Sequence, residues 1–157
     1  MLDFSRCRLT PFAHQREDVQ ALLDHPFYFL ANEMRTGKSK TVIDAGCFLF
    51  ERGVIDRVIV VAPAPVRDVW YDSTLGELAK HLWLGLPTVV TEYHARTRTW
   101  LHQAEGSDAK RFEWYVTNFE FLRSKNRLEQ LLPLCGPRTL LVGDESSFLK
   151  NHKSYRT

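Results

Sequence analysis

Residues 32–40 have the sequence NEMRTGKSK, which contains at residues 37–39 a Gly-Lys-Ser triplet of the kind found in phosphate-binding loops. The usual pattern has a glycine five places before the triplet, where this chain has Asn32, and a small residue where it has Arg35. A Gly-Lys-Ser triplet alone is common by chance. The segments around the loop therefore have to decide whether it is a working nucleotide site.

The composition predicts one globular domain. The chain has 157 residues, 44% hydrophobic and 25% charged, which is enough for a packed core. Its net charge of +2 neither favours nor excludes a nucleic-acid partner. The three cysteines lie far apart without a CxxC pair, which is typical of reduced thiols, so we expect a cytoplasmic or nucleoid-associated protein. No apolar run is long enough to cross a bilayer, so we expect no membrane partner.

Short apolar runs alternate with longer mixed segments along the chain. The runs are rich in β-branched and aromatic residues and are bounded by turn formers, which predicts buried strands. The predicted strands are residues 27–30, 57–63, 87–93, 113–118 and 138–145. Helical patterns lie between them at residues 39–51, 66–84, 96–104 and 119–132. Buried strands separated by helices predict an α/β fold with a mostly parallel central sheet flanked by helices.

Two predicted strands end in residues that can carry chemistry. Residues 27–30 lead into the loop, and residues 139–143 lead into Asp144 and Glu145. An Asp-Glu pair is usually a solvated surface feature, but here it follows a buried strand, as the loop does. Ligands of parallel sheets bind beyond the carboxyl ends of the strands. The loop and the acidic pair together therefore predict a nucleotide site.

The residue types of the loop suit a triphosphate. Gly37 allows unusual backbone angles and a close approach of the main chain to the phosphates. Lys38 supplies a mobile positive charge for the β and γ phosphates, and the following helix adds its positive N-terminal end. Ser39 supplies a hydroxyl ligand for Mg²⁺. Thr36 completes the essential part of the loop, and Arg35 either faces solvent or meets a phosphate or nucleic acid.

The acidic pair supplies what the loop lacks. We predict that Asp144 holds Mg²⁺ through a water and that Glu145 polarises the attacking water. Lys38, Asp144 and Glu145 are the predicted catalytic residues, and Ser39 and Asp144 are the predicted metal ligands. The predicted nucleotide-binding residues are Gln15, Arg35, Thr36, Gly37, Lys38, Ser39 and Lys40.

Five segments match the motifs of one enzyme family in the family's order. They are LTPFAHQ (9–15), LANEMRTGKSKT (30–41), VIVVAPAPVRDVW (58–70), YVTNFEFLR (115–123) and LLVGDESSFLKN (140–151). Together they resemble the first motor lobe of a superfamily 2 helicase, specifically a Swi/Snf-type DNA translocase. The five matches cover nearly the whole chain, and in this order they are far more specific than any one of them.

The resemblance implies a RecA-like P-loop NTPase lobe with ATP and Mg²⁺ as cofactors and DNA, in double-stranded form, as partner. It implies that Gln15 contacts adenine, in addition to the roles given above to the loop and the acidic pair. Pro63, Ala64, Thr117 and Asn118 fall in motifs that lie near the nucleic-acid backbone in the family. Each of these four also lies at a predicted strand end, where turns need such residues.

Two features depart from the family's pattern. Ser146 and Ser147 stand where the family often has Ala-His, so the link between the nucleotide site and the nucleic acid is expected to differ. The sequence stops at Thr157, soon after the acidic motif. We therefore expect a lobe that is incomplete at its C-terminus, needs a second lobe or a partner protein, and by itself binds nucleotide weakly with negligible turnover.

Other functions stay open at the level of sequence. The lobe could be a regulatory module that binds a nucleotide or a protein, or a P-loop enzyme of another class, such as a small-molecule kinase. The short basic segment 94–100 could contact a phosphate backbone or form a solvated helix face. Trp70 is expected to pack in the core. The six histidines form no zinc-binding pattern, so no zinc is expected.

Overall fold

The structure is a computed structural model that describes residues 2–31, 35–102 and 110–145. The helices in these ranges are α1 (Ala13–Asp24), α2 (Lys38–Glu51), α3 (Ala64–Tyr71), α4 (Glu77–His81) and α5 (Lys125–Leu131). The strands are β1 (Arg57–Ala62), β2 (Thr88–Glu92), β3 (Arg98–His102), β4 (Phe112–Asn118) and β5 (Thr139–Gly143). Two short 3₁₀ turns, Phe121–Arg123 and Leu132–Leu134, flank α5.

The strands form one sheet in the order β3-β2-β4-β1-β5. β1 pairs in parallel with β4 and β5, and β2 pairs in parallel with β4. β3 runs antiparallel to β2. Helices α3 and α4 connect β1 to β2, and α5 connects β4 to β5, as parallel strands require. The predicted α/β fold with a mostly parallel sheet is confirmed.

The centre of the core is β1. Val58, Ile59 and Val60 are fully buried in consecutive positions. Val58 and Val60 belong to the larger apolar cluster, whereas Ile59 belongs to a smaller cluster with Leu131 of α5. Successive side chains of a strand point to opposite faces, so β1 is covered on both sides. This burial explains why its sequence is apolar without interruption.

Helix α2 packs on the sheet. A Cβ added to Gly46, in the middle of the helix, would lie 3.1 Å from the ring of Trp114 on β4. The end of α2 is joined closely to the start of β1, since the N–H of Val54 donates to the carbonyl of Leu49 at 2.9 Å. The 14-residue helix therefore runs back across the sheet, antiparallel to β1. Its first turn lies toward the carboxyl ends of the parallel strands.

A buried polar cluster fixes the inner face of α2. Lys40 forms an ion pair with Asp44 one turn later, and both side chains are buried. The other carboxylate oxygen of Asp44 accepts a 2.9 Å hydrogen bond from the indole N–H of Trp83. Burial, together with the Asp44 charge, raises the pKa of the neighbouring Cys7 thiol to about 12. The Asp44 charge is thus held by two partners inside the core.

The strand predicted at residues 27–30 is wrong. This segment has no strand conformation, and Phe27 and Phe29 are 92% and 73% exposed. It lies beside β5 across a cleft of about 240 Å³, lined by Tyr28 and by residues 140–143 among others. The segment was predicted as a strand because aromatic residues are common on the half-buried surface of a sheet. A strand also needs a partner edge within about 4.8 Å, and the cleft separates this segment from the nearest one.

The helix predicted over residues 96–104 is also wrong. Most of this segment is β3, and the hydroxyls of Thr91 and Thr99 lie 3.2 Å apart across the hairpin. The indole N–H of Trp100 donates to the carbonyl of Tyr71 at the end of α3, at 2.8 Å. Thr99 and Trp100 are residue types that favour strands, and the packing of Trp100 outweighs the pattern from which a helix was predicted.

The long helix predicted over residues 66–84 is divided into α3 and α4. The Asp72 carboxylate accepts hydrogen bonds from the N–H groups of Thr74 and Leu75, at 2.8 and 2.7 Å, and this turn ends α3. In the same way, the helix predicted over residues 119–132 consists of a 3₁₀ turn and α5. The other four predicted strands are confirmed, with ends that shift by one or two residues. Among the described residues, no helix is long and apolar enough to span a membrane.

We predict that Lys40→Met lowers the free energy of unfolding by about 3 kcal/mol, because the buried Asp44 carboxylate loses its cation. The matched control is Lys80→Met, since the Lys80 side chain is 49% exposed and its pair with Glu77 contributes less than about 1 kcal/mol. Denaturant unfolding followed by circular dichroism measures both. Equal losses in the two variants would contradict the role of the buried pair.

Candidate functional site

The phosphate-binding pattern lies at the start of α2. Gly37 is the residue before the helix and has φ +79°, in the left-handed region that favours glycine. Lys38 and Ser39 form the first turn of α2, which contains no acidic residue. The positive end of the helix therefore coincides with a lysine and a hydroxyl group. This arrangement suits an anion that also carries a divalent cation.

Helix α1 holds the loop in place through Gln15. The side-chain amide of Gln15 donates to the carbonyl of Thr36 at 3.0 Å and accepts from the N–H of Phe12 at 3.0 Å. A ring nitrogen of His14 lies 3.2 Å from the same Thr36 carbonyl. A Cβ at Gly37 would overlap the Gln15 amide nitrogen. The glycine is therefore required by the contact with α1, besides the approach to phosphate that the sequence predicts.

Gln15 has a structural role that the sequence did not indicate. It is 4% exposed, and both ends of its amide are occupied by main-chain groups. The predicted contact with adenine stays a prediction. In the structure, Gln15 links the position before α1 to the loop before α2, so a base that binds beside Gln15 would also meet the segment that positions the loop.

The two basic neighbours of the triplet lie in different surroundings. Arg35 is exposed and has φ +65°, so its side chain is accessible to solvent or to a ligand. The ammonium of Lys40 instead pairs with Asp44 in the core. This pairing argues against the predicted contact between Lys40 and phosphate. The spacing of the motif could not show it, because the third helical position of α2 faces inward here.

The acidic pair follows β5 directly. The N–H of Asp144 donates to the carbonyl of Val61 at 2.9 Å, which continues the parallel pairing of β5 with β1. One Asp144 carboxylate oxygen accepts from the indole N–H of Trp70 at 2.7 Å, and the other accepts from the N–H of Glu145 at 2.9 Å. Glu145 is exposed and has φ +51°, a strained angle for a glutamate.

The loop and the acidic pair belong to the same edge of the sheet. Asp144 lies just beyond the carboxyl end of β5, and the first turn of α2 lies toward that edge because α2 runs antiparallel to β1. The residues that these two elements bring to this edge carry an ammonium, a hydroxyl and two carboxylates. Oxygen ligands of this kind suit Mg²⁺, and the cation at Lys38 suits phosphate, so the residues present fit a magnesium–nucleotide complex.

The predicted nucleic-acid motifs are mostly buried at this edge. Thr117 and Asn118 are buried, and the Asn118 amide oxygen accepts a 2.7 Å hydrogen bond from the N–H of Phe121. The N–H of Ala64, at the start of α3, donates to the Glu120 carboxylate at 3.1 Å. These contacts give Asn118 and Ala64 structural roles. Their contact with nucleic acid stays a prediction.

Several sequence features fall outside the described residues. They include residues 32–34 of the loop and the departures at Ser146 and Ser147.

The sequence analysis did not identify Trp70 as a residue beside the proposed site. Trp70 was expected to be a core residue; it is 2% exposed, yet its one polar atom binds Asp144. The signal that could have found it is chemical, since a buried indole N–H needs an acceptor.

Comparison with known proteins bears on the fold. No protein-family model matches the sequence, and no curated protein matches it. The structure is similar to that of the Sulfolobus solfataricus SWI2/SNF2 ATPase core in complex with double-stranded DNA, with a TM-score of 0.70 at 18% sequence identity. The match covers 99% of this chain and 30% of that chain. The predicted RecA-like lobe is confirmed as a fold, and at this identity the likeness does not establish an activity.

We predict that Gly37→Ala lowers the free energy of unfolding by at least about 1 kcal/mol more than Gly53→Ala does. The reason is that a Cβ at position 37 would displace the Gln15 amide, which would then lose its hydrogen bond to Thr36. The two glycines have similar angles, φ +79° and +69°, so the backbone strain is shared. A Cβ at Gly53 would meet nothing within 4 Å. Thermal and denaturant unfolding measure the difference, and equal effects would show that the contact with Gln15 is unimportant.

Proposed function

We propose that this chain is the ATP-binding lobe of a helicase-like ATPase of the Swi/Snf type, and that the complete protein couples ATP hydrolysis to movement on double-stranded DNA. The proposal rests on where the elements place two sets of residues: Gly37, Lys38 and Ser39 begin α2, and Asp144 and Glu145 follow the carboxyl end of β5. The likeness to a SWI2/SNF2 ATPase core supports it through the fold.

Each side chain has a role that its chemistry allows. The Lys38 ammonium would neutralise phosphate charge, and the Ser39 hydroxyl and the Asp144 carboxylate would hold the cation. The exposed Glu145 carboxylate would orient a water and accept its proton. When bound, Mg²⁺ would supply positive charge that offsets the negative charge of the phosphates. Among the described residues, Glu145 is exposed, so the groups that exclude water from it would come from outside this part of the chain.

A second lobe or a partner protein fits this requirement. The chain spans 30% of the SWI2/SNF2 core that it resembles in structure. Phosphoryl-transfer enzymes of this kind often gain an arginine from outside the nucleotide-binding lobe, which raises the rate on the order of 10³–10⁵-fold. We propose that the complete site in this protein is formed in the same way, between this lobe and another.

A basic surface beside the site is the proposed contact with DNA. The turn between β2 and β3 packs against the segment after β4, since the rings of Tyr93 and His94 lie 5.6 and 4.7 Å from that of Phe121. The guanidinium of Arg127 lies 4.1 Å from the Phe121 ring. The exposed cations of these segments are Arg96, Arg98, Arg123, Lys125 and Arg127. Cations grouped in this way suit a phosphate backbone.

A regulatory binding module remains the second candidate. It is favoured by the exposed apolar side chains of Phe27, Phe29 and Leu141 beside β5, because apolar surfaces of this kind attract partner proteins. A module of this type would bind nucleotide or protein without turnover. ATP hydrolysis that responds to DNA distinguishes the motor from the module.

We predict that Lys38→Ala abolishes the DNA-stimulated ATPase activity of the full-length protein, because the phosphates lose their mobile cation. Phosphate release measured with and without double-stranded DNA tests this. The control is Lys80→Ala on α4, an exposed lysine away from the loop, which should keep its activity. DNA-stimulated hydrolysis that survives in Lys38→Ala would rule out the assignment of the loop.

We predict that the double variant Arg96→Gln, Arg123→Gln binds double-stranded DNA less tightly and with a weaker dependence on salt. Each lost phosphate contact should reduce the slope of log K against log salt by about 0.9. Fluorescence anisotropy over a salt series measures the slope, and nucleotide affinity should stay unchanged. Arg52→Gln, an exposed change at the opposite end of α2, is the control. An unchanged slope in the double variant would contradict the proposed contact between this surface and DNA.

A further inference from the structure

We propose that Trp70 is a positioning residue for the proposed magnesium site, and that its indole N–H fixes the orientation in which Asp144 binds the cation. The inference rests on the proposed function, since it assumes that Asp144 is a metal ligand. The observation behind it is a 2.7 Å hydrogen bond from Trp70 Nε1 to Asp144 Oδ2, made by a side chain that is 2% exposed.

The carboxylate of Asp144 needs an external support. Asp144 is the first residue after β5, and the exposed Glu145 that follows has a left-handed backbone angle. The strand therefore fixes the main chain of Asp144 and leaves its side chain to be held by other groups. Glu145 N–H binds Oδ1 at 2.9 Å, and Trp70 binds Oδ2. A carboxylate has about four acceptor sites, so each oxygen keeps one for another ligand.

Trp70 is suited to this role because its indole nitrogen can donate a hydrogen bond but cannot accept one. The indole N–H can therefore contact Asp144 only through a carboxylate oxygen that accepts, and it offers the cation no ligand atom of its own. The ring is enclosed in the core, and the next residue, Tyr71, accepts a 2.8 Å hydrogen bond from Trp100 of β3. Metal ligands gain affinity when a second group fixes their direction in this way.

The same bond links the metal ligand to α3. This helix starts at Ala64, whose N–H is held by Glu120 beside the proposed DNA surface, and it carries Trp70 near its other end.

Two other tryptophans provide matched controls. The indole N–H of Trp83 also donates to a carboxylate, that of Asp44, which belongs to the buried pair with Lys40. Trp114 is fully buried, and its indole nitrogen has no hydrogen-bond partner among the described residues. Trp114→Phe therefore removes the same atoms from the core without removing a hydrogen bond. Trp83→Phe removes an indole–carboxylate bond away from the site.

The test compares Trp70→Phe with a variant that carries 3-benzothienylalanine at position 70, which keeps the ring shape and replaces the N–H by sulfur. Mn²⁺ serves as the probe, and its affinity for the protein–ADP complex is measured by electron paramagnetic resonance. We expect about ten-fold weaker Mn²⁺ binding in both Trp70 variants. Binding of fluorescent ADP in EDTA should stay unchanged, because the metal is absent there. Trp114→Phe and Trp83→Phe should bind Mn²⁺ within about two-fold of the parent protein.

The outcomes separate this inference from the proposed function. Parent-like Mn²⁺ affinity in the benzothienylalanine variant, which creates no cavity, would overturn the role of Trp70 and leave the proposed function intact. An equal loss of Mn²⁺ affinity in Trp114→Phe would also overturn it, since core damage would then explain the effect. A parent protein that binds ADP without Mn²⁺ would overturn Asp144 as a ligand and Trp70 with it. A parent protein that binds neither would overturn the proposed function itself.

Discussion

The parallel pairing of β1 with β4 and β5 is the constraint on which the other features depend. It brings the carboxyl ends of three strands to one edge and continues past β5 through the bond between Asp144 N–H and the Val61 carbonyl. Because β1 is buried on both faces, a shift of β1 against β5 would break close packing on both sides of the sheet. The position of the acidic pair is thus set by the core, and α2, which packs on the same sheet, places the loop relative to it.

Polar groups inside the core join the elements of this scaffold, and two of them, Trp70 and Gln15, reach the proposed site. The indole N–H groups of Trp83 and Trp70 each donate to a carboxylate, one in the core beneath α2 and one at the sheet edge. Gln15 plays a similar part from α1 by binding the loop carbonyl of Thr36. Buried groups of this kind are costly when unpaired, so they favour a single arrangement of the elements that they join. The site is in this sense an extension of the core packing.

The sequence predicted well what depends on composition and spacing. Buried runs such as residues 57–63 gave strands, because continuous apolar character fits a strand covered on both faces. The sequence-based prediction was wrong where the conformation of a segment depends on a neighbouring strand or packing surface. Residues 27–30 have the composition of a strand and are not one, and residues 98–102 form a strand inside a predicted helix. In both cases local propensity is weaker than the presence or absence of a neighbouring edge and of a packing surface for Trp100.

For the site, the sequence by itself determined which chemical groups are present and in what order: a glycine, a lysine and a serine before a helix, and two acids after a strand. Tertiary structure alone decided how those groups are held. It placed Lys40 in the core with Asp44, occupied the amide of Gln15 with main-chain groups, and put an indole donor on Asp144. The physical reason is that these contacts join residues far apart in sequence or turned inward on a helix. The spacing of a motif does not show which face of a helix is buried or which acceptor lies within hydrogen-bond distance of a donor.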